Sequence, residues 1–84
     1  MHEMGIAASI LETVQRQLEN DPGRRATKVG LRIGEYAGVD PDSLRFCLDA
    51  LVKSTPLDLL ALEIDWRPAT DNLDFTFLEL EDSL

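Results

Sequence analysis

The sequence predicts one small α+β domain with the element order αβαββ, in which two helices pack on a three-stranded mixed sheet. Three observations lead to this fold class. Apolar residues recur at helical spacing in two segments and alternate in three others, and Gly, Pro, Asp and Asn separate the segments. The chain has 84 residues, the size of one domain, so we expect residues 1–84 to share a single core.

The first helix is expected over residues 3–19. Its apolar residues recur every three or four positions and form one stripe: Ile6, Ala7, Ile10, Leu11, Val14 and Leu18. The segment Asn20-Asp21-Pro22-Gly23 should end this helix, because Pro interrupts the hydrogen-bond ladder and Gly suits the turn.

The first strand is expected over residues 26–34. Val29, Leu31 and Ile33 alternate with more polar positions, which is typical of a strand with one buried face. Gly30 lies among the polar positions of this strand, and a glycine inside a strand marks a bulge or a close approach of backbone.

The second helix should begin at Pro41, with Asp40 as its N-cap, and end before Ser54. We favour this capping role for Asp40 over a role beside a metal. One face of the helix is apolar and consists of Leu44, Cys47, Leu48, Leu51 and Val52. Cys47 is therefore interpreted as a small buried hydrophobic residue rather than a metal or redox group.

The last two strands are expected over residues 60–66 and 73–80. Trp66 continues the alternating apolar face of the first of them, so we expect it to pack in the core. In the final strand the apolar phase changes after Phe77, which predicts a bulge or burial on both faces there.

The connections predict the strand directions. A helix between the first two strands favours a right-handed crossover and a parallel pair. The short polar turn at residues 67–72 favours a last strand that is antiparallel to its predecessor and pairs with it directly.

Composition excludes several classes of function. Sixteen Asp and Glu against eight Lys and Arg give a net charge of −8, which disfavours nucleic acid and anionic membranes as partners. No apolar run is long enough to span a membrane, and no signal peptide is evident, so a cytoplasmic location is expected. Cys47 is the one cysteine and His2 the one histidine, so neither an intrachain disulfide nor a Cys/His zinc site can form.

The sequence offers little support for catalysis, and we expect that the protein is not an enzyme. A single histidine excludes an HExxH motif, and the glycines do not form a phosphate-binding loop. His2 and Cys47 fall on different predicted helices, so no Cys/His pair is apparent. Glu35, in the turn after the first strand, has no functional interpretation from the sequence.

The amino end combines several possible metal ligands. Met1 offers an α-amine, His2 an amide nitrogen and an imidazole, and Glu3 a further amide nitrogen. Such a nitrogen set suits square-planar Ni(II) or Cu(II). The first amides of a helix have no intrahelical acceptor, and the helix dipole favours negative charge there, so deprotonating these amides costs no helical hydrogen bond.

Several segments together resemble a known family. They are Met1-His2-Glu3-Met4, Val29-Gly30-Leu31-Arg32-Ile33-Gly34-Glu35, Gly38-Val39-Asp40-Pro41-Asp42-Ser43-Leu44-Arg45-Phe46-Cys47, Thr55-Pro56, Leu62-Glu63-Ile64 and Leu78-Glu79-Leu80-Glu81. In this order they closely resemble the HypA/HybF nickel metallochaperones. The resemblance implies delivery of nickel to [NiFe]-hydrogenase large-subunit precursors together with the GTPase HypB. It also implies nickel ligands at Met1, His2 and Glu3, with His2 as the principal one.

The sequence departs from that family in one respect. The family inserts a zinc-binding domain with two CxxC motifs between its last two strands, where this chain has residues 67–72 alone. The resemblance therefore implies a nickel-binding domain without zinc. Two alternatives stay open: a metal-free adapter that docks on the GTPase or the hydrogenase precursor, and a module that forms a homodimer through its sheet edges.

Overall fold

A computed structural model describes residues 2–83, so Met1, expected to supply an amine ligand, lies outside the described residues. The elements are α1 (Glu3–Asn20), β1 (Arg24–Gly34), a short 3-10 helix (Glu35–Ala37), α2 (Pro41–Val52), β2 (Ala61–Arg67) and β3 (Leu73–Asp82). This order confirms the predicted αβαββ fold class, with most boundaries within two residues of those expected. None of the helices in the described part of the chain combines the length and apolar character needed to cross a membrane.

The three strands lie in the order β2-β1-β3. β1 is parallel to β2, with Val29 opposite Leu62, as predicted. The predicted direct pairing of the last two strands is wrong, because β1 lies between them and pairs antiparallel with β3. The connection of residues 68–72 crosses the end of β1, where the Gly34 N–H donates to the Asn72 carbonyl at 2.7 Å. Five residues can reach ~16 Å, which exceeds the ~10 Å between the outer strands.

The predicted irregularity in β3 is a bulge. Gly30 pairs with Phe77 and Leu31 with Phe75, so Thr76 has no opposite residue in β1. This extra residue places both Phe75 and Leu78 on the helix side of the sheet and explains the change of apolar phase. Gly30 lies at this bulge, which is one of the two predicted alternatives for it. A Cβ at Gly30 would overlap the ring of Phe77, a side chain rather than the backbone of the second alternative.

The two helices cover one face of the sheet and enclose the core. Its buried side chains come from every major element except β3: Ala7, Ile10, Val14, Ala26, Val29, Leu31, Ile33, Val39, Leu44, Leu48, Val52, Leu57, Leu60 and Leu62. Trp66 was expected in this core, and that prediction is wrong, since 46% of its surface is exposed. β2 is an edge strand, so a residue at its end has a neighbouring strand on one side only.

The face of the sheet that the helices do not cover carries ion pairs between neighbouring strands. Lys28 of β1 lies 3.7 Å from Glu79 of β3, and Arg32 of β1 lies 3.2 Å from Asp65 of β2. Arg67 also contacts Asp65, at 3.0 Å. Hydrogen bonds from Arg67 and then Arg32 lower the pKa of the Asp65 carboxyl below its usual value.

Replacing Asp65 by Asn should therefore produce a small, pH-dependent loss of stability. Because the folded pKa is lowered, the carboxylate stabilises the fold above its unfolded pKa, near 3.8, and this contribution disappears as pH falls through the folded value. We expect the wild type to have the higher Tm at pH 7 and the difference to shrink below about pH 4. Thermal unfolding across this range tests it. A chain with Arg32→Gln and Arg67→Gln is the control, in which the pH dependence of the Asp65→Asn effect should vanish.

Candidate functional site

The amino end of α1 presents the one histidine of the chain to solvent. His2 is the N-cap residue, in an extended conformation, and its carbonyl accepts hydrogen bonds from the N–H groups of Gly5 at 3.1 Å and Ile6 at 3.2 Å. Its imidazole makes no capping hydrogen bond, and the residue is exposed. The backbone of His2 thus begins the helix while the ring stays accessible to a ligand.

Glu3 ties the beginning of α1 to the beginning of α2. Its carboxylate accepts a hydrogen bond from the Asp40 N–H at 3.2 Å. The Asp40 carboxylate in turn accepts from the N–H groups of Asp42 at 3.0 Å and Ser43 at 3.3 Å, which confirms its predicted capping role. Both helices therefore start from one hydrogen-bonded junction, and this junction positions residue 2.

A shallow depression of 540 Å³ lies beside this junction. It is lined by His2, Glu3, Met4, Asp42, Ser43, Phe46 and Cys47. Cys47 is a free thiol that packs against the core, as expected, but it is only partly buried. The sequence did not predict that Cys47 and His2 line one depression. The available signal was the spacing of Ser43, Phe46 and Cys47, which share one side of the first turns of α2.

The side chains of the described residues do not by themselves form a metal site. Within residues 2–83, no group of three or more His, Cys, Asp or Glu side chains is placed to hold an ion. The predicted ligands His2 and Glu3 are adjacent at the helix start, whereas the third, Met1, is outside the described region. A metal bound here by one chain needs backbone nitrogens or the amino terminus as additional donors.

Glu35, which had no interpretation from the sequence, holds the connection between β2 and β3. Its carboxylate accepts a hydrogen bond from the Ala69 N–H at 2.9 Å. The adjacent Tyr36 N–H donates to the Thr70 carbonyl at 2.7 Å. These hydrogen bonds hold the connection between β2 and β3 against the short 3-10 helix that follows β1. From this 3-10 helix the chain continues to Asp40 and the start of α2.

Comparison with known proteins identifies a family. Residues 1–72 match the profile described as hydrogenase/urease nickel incorporation, metallochaperone, hypA. A hydrogenase maturation factor HypA from Methanopyrus kandleri is 36% identical over 87 aligned residues, covering 87% of this chain and 61% of that protein. One from Geotalea uraniireducens is 43% identical over 65 residues, covering 77% and 56%. The chain thus spans between about half and two thirds of the length of these relatives.

A solved structure shares the fold. The solution structure of the nickel metallochaperone HypA from Helicobacter pylori superposes with a TM-score of 0.69, covering 92% of this chain and 72% of that one. The sequence identity is 14%, so this likeness concerns the fold alone. The profile match ends at residue 72, at the end of the connection that crosses β1.

Proposed function

The chain belongs to the HypA family of hydrogenase and urease nickel-incorporation metallochaperones, and we propose that it carries one Ni(II) ion at its amino end. The family description is that of a metallochaperone and not of an enzyme. Nickel is then the cargo of the protein, bound for transfer, rather than a resident cofactor.

The proposed ligands are consecutive in the chain. The α-amine of Met1, where Met1 is the first residue, and the amide nitrogen and imidazole of His2 form fused chelate rings, and the Glu3 amide completes a square plane. The Glu3 amide is at the first position of α1, where a helix offers no acceptor. The Glu3 carboxylate does not serve as a ligand in this proposal, because it holds the Asp40 N–H.

One observation carries the proposal. The His2 carbonyl is used by the first turn of α1, whereas its imidazole has no capping partner and is exposed beside the depression. The Glu3–Asp40 hydrogen bond fixes the backbone of this turn, so the imidazole can meet a metal without rearrangement of the domain. An exposed site of this kind also lets a recipient's ligands replace those of the carrier one at a time.

The partners belong to the same proposal. A HypB-type GTPase and a [NiFe]-hydrogenase large-subunit precursor are the expected contacts on the route of nickel to the enzyme. Exposed apolar side chains border the depression, with 73% of Phe46 and 47% of Met4 accessible, and they offer a contact surface for a partner.

We also propose that the chain functions without zinc. Cys47 is the one cysteine in the sequence, so two CxxC motifs cannot be present. Residues 68–72 connect β2 to β3 directly, at the place where the resemblance expects a zinc-binding insertion. Metal analysis of the purified chain should give less than one tenth of an equivalent of zinc, about the background level for a chain without a Cys/His site.

Titration with Ni(II) tests the proposed cargo. Untagged wild type should bind one equivalent with the absorption spectrum of square-planar nickel, and His2→Ala should lose both the spectrum and at least about 100-fold in affinity. The imidazole is the one side-chain donor in the set, so its loss leaves backbone nitrogens that bind nickel weakly.

Two control variants test the roles assigned to the neighbouring side chains. Asp40→Ser keeps a capping oxygen but removes the carboxylate, and Cys47→Ser removes the thiol from the depression. Both should bind nickel as the wild type does. Equal binding by wild type and His2→Ala would contradict the proposal.

A metal-free adapter is the second candidate, and the exposure of Phe46 and Met4 favours it. An adapter would retain its partner when nickel is removed by a chelator, and His2→Ala would not weaken the complex. Loss of the complex in Phe46→Ala, combined with the absence of specific nickel binding, would select this candidate over the carrier.

A further inference from the structure

Two apolar side chains at the amino end are exposed to solvent. Phe46 of α2 is 73% exposed, and Met4 of α1, which lines the same depression, is 47% exposed. The core side of α2 is formed by Leu44, Leu48 and Val52, so the ring of Phe46 adds little to the core. Phe46 and Met4 therefore form an apolar patch that the fold of the domain does not use.

Carboxylates flank this patch on both helices. Asp42 precedes Phe46 by four residues and Asp49 follows it by three, so both lie on the same side of α2 as the ring. Glu3 lines the depression next to Met4. Within residues 2–83, none of these three carboxylates takes part in an ion pair. We call Glu3, Met4, Asp42, Phe46 and Asp49 the acidic–apolar face.

The stability of α2 does not explain the position of Asp49. This exposed residue opens the last turn of the helix, where the helix dipole disfavours a negative charge. Asp42, in contrast, lies in the first turn, where the dipole favours its carboxylate. An acidic residue at an unfavourable end of the helix, one turn from an exposed aromatic ring, fits a contact with another molecule.

The chain has few free cations of its own to meet this face. Six of its eight Lys and Arg side chains are in ion pairs elsewhere in the structure: Arg16, Arg24, Arg25, Lys28, Arg32 and Arg67. The guanidinium of Arg45, next to Phe46 in sequence, donates to the Leu62 carbonyl of β2. Lys53 lies beyond the last residue of α2. A second copy of this chain is a poor occupant of the face, because it brings the same net charge of −8.

We infer that the acidic–apolar face binds a basic amphipathic segment of a partner protein, in which Lys or Arg residues surround an apolar anchor. The anchor contacts Phe46 and enters the depression, and the flanking cations pair with Asp42 and Asp49. The charge of the face selects such a segment against an acidic one. The inference rests on the proposed function, because it gives the chemistry of the partner that would dock beside His2.

Titration with a synthetic peptide tests the inference on the metal-free chain in the presence of a chelator. The probe is an amphipathic helix of leucine and lysine, about 15 residues or four turns long, and the control peptide has glutamate in place of every lysine. The lysine peptide should bind with a Kd on the order of 10–100 μM and shift the NMR signals of residues 3–4 and 42–49. The Kd should rise about tenfold or more when the ionic strength is raised from about 0.05 to about 0.5 M.

Three outcomes would overturn the inference. They are the absence of binding at about millimolar lysine peptide, equal binding of the lysine and glutamate peptides, and signal changes centred on another surface. Nickel is absent from this titration, and Asp42, Phe46 and Asp49 are not proposed nickel ligands. A failure here therefore leaves the nickel titration of the previous section valid, and a failure of nickel binding leaves this one valid.

One pair of variants tests the apolar contact. Phe46→Ala should raise the Kd of the lysine peptide at least about tenfold, because the ring is the main apolar surface of the face. Phe75→Ala removes a ring that is 41% exposed in a different depression and should leave the Kd unchanged. The opposite order of effects would place the peptide on the wrong surface and refute the inference.

A second pair tests the selection by charge. The double variant Asp42→Asn and Asp49→Asn should raise the Kd about tenfold and reduce its dependence on salt. The double variant Glu19→Gln and Asp58→Asn removes the same charge at exposed positions outside the face, and should change neither. Equal effects of the two double variants would show that the net charge of the chain, and not this face, attracts the peptide.

Discussion

Acetylation of the α-amine of Met1 is expected to lower the affinity for Ni(II) by about 100-fold, or about 2.7 kcal/mol. An acetylated nitrogen has no basic lone pair, so the chelate loses its first donor and one of its fused rings. The imidazole of His2 is left to bind nickel without the ring that positions it. Titration of acetylated and unmodified chains, followed by absorption spectroscopy, measures the difference.

This modification separates the amine from the fold. Acetylation removes a positive charge from the start of α1. The helix dipole disfavours a positive charge there, so the free energy of unfolding of the acetylated chain should be at least that of the unmodified chain. In the His2→Ala chain, acetylation should lower the nickel affinity by a few-fold at most. The reason is that acetylation and the His2→Ala change remove the same chelate. Nickel binding unaffected by acetylation would exclude the amine as a ligand and require a different donor set.

Replacing Gly34 by Ala is expected to cost about 3 kcal/mol of folding free energy. A Cβ at this position would lie 2.6 Å from the carbonyl carbon of Thr70, inside the distance that real Cβ atoms keep. The neighbouring atoms include backbone of the connection that crosses β1, and this backbone is held by the Gly34–Asn72 and Tyr36–Thr70 hydrogen bonds. A chain of 84 residues has a total stability of roughly 4–12 kcal/mol, so the loss is a large part of it.

Denaturant unfolding, with the single Trp66 as fluorescent probe, measures the effect. Gly5→Ala is the matched control, because Gly5 lies in α1 with open space around it, and this change should stabilise the protein by about 0.5–1 kcal/mol. Thr70→Gly should not rescue Gly34→Ala, since the clash includes backbone atoms that glycine retains. A Gly34→Ala chain as stable as the wild type would show that the connection can leave β1 without cost.

The local structure of β3 was predicted from the sequence, whereas its position in the sheet was not. Its alternation predicted a strand, and the change of phase at Phe77 predicted either a bulge or burial on both faces. The strand and the bulge are present, because both signals depend on residues adjacent in the chain. The partner of β3 was predicted wrongly. A short turn favours pairing with the preceding strand, but here the connection crosses Gly34, and this depends on contacts between residues far apart in sequence. Trp66 was wrongly predicted to be buried for the same reason. The alternating pattern that includes Trp66 depends on nearby residues, whereas its exposure follows from the position of β2 at the edge of the sheet.

The sequence by itself determined the elements of this protein and the nature of its proposed chemistry. These features depend on residues that are close together along the chain, whose geometry is set by local bonding. They are the helical and strand periods, the Asp40 cap, and the proposed nitrogen donors at Met1, His2 and Glu3. The tertiary structure alone decided the strand order, the Glu3–Asp40 hydrogen bond, the Glu35–Ala69 hydrogen bond and the depression shared by His2 and Cys47. These features join residues that only packing of the helices and sheet brings together, and no local pattern encodes which distant surfaces will meet.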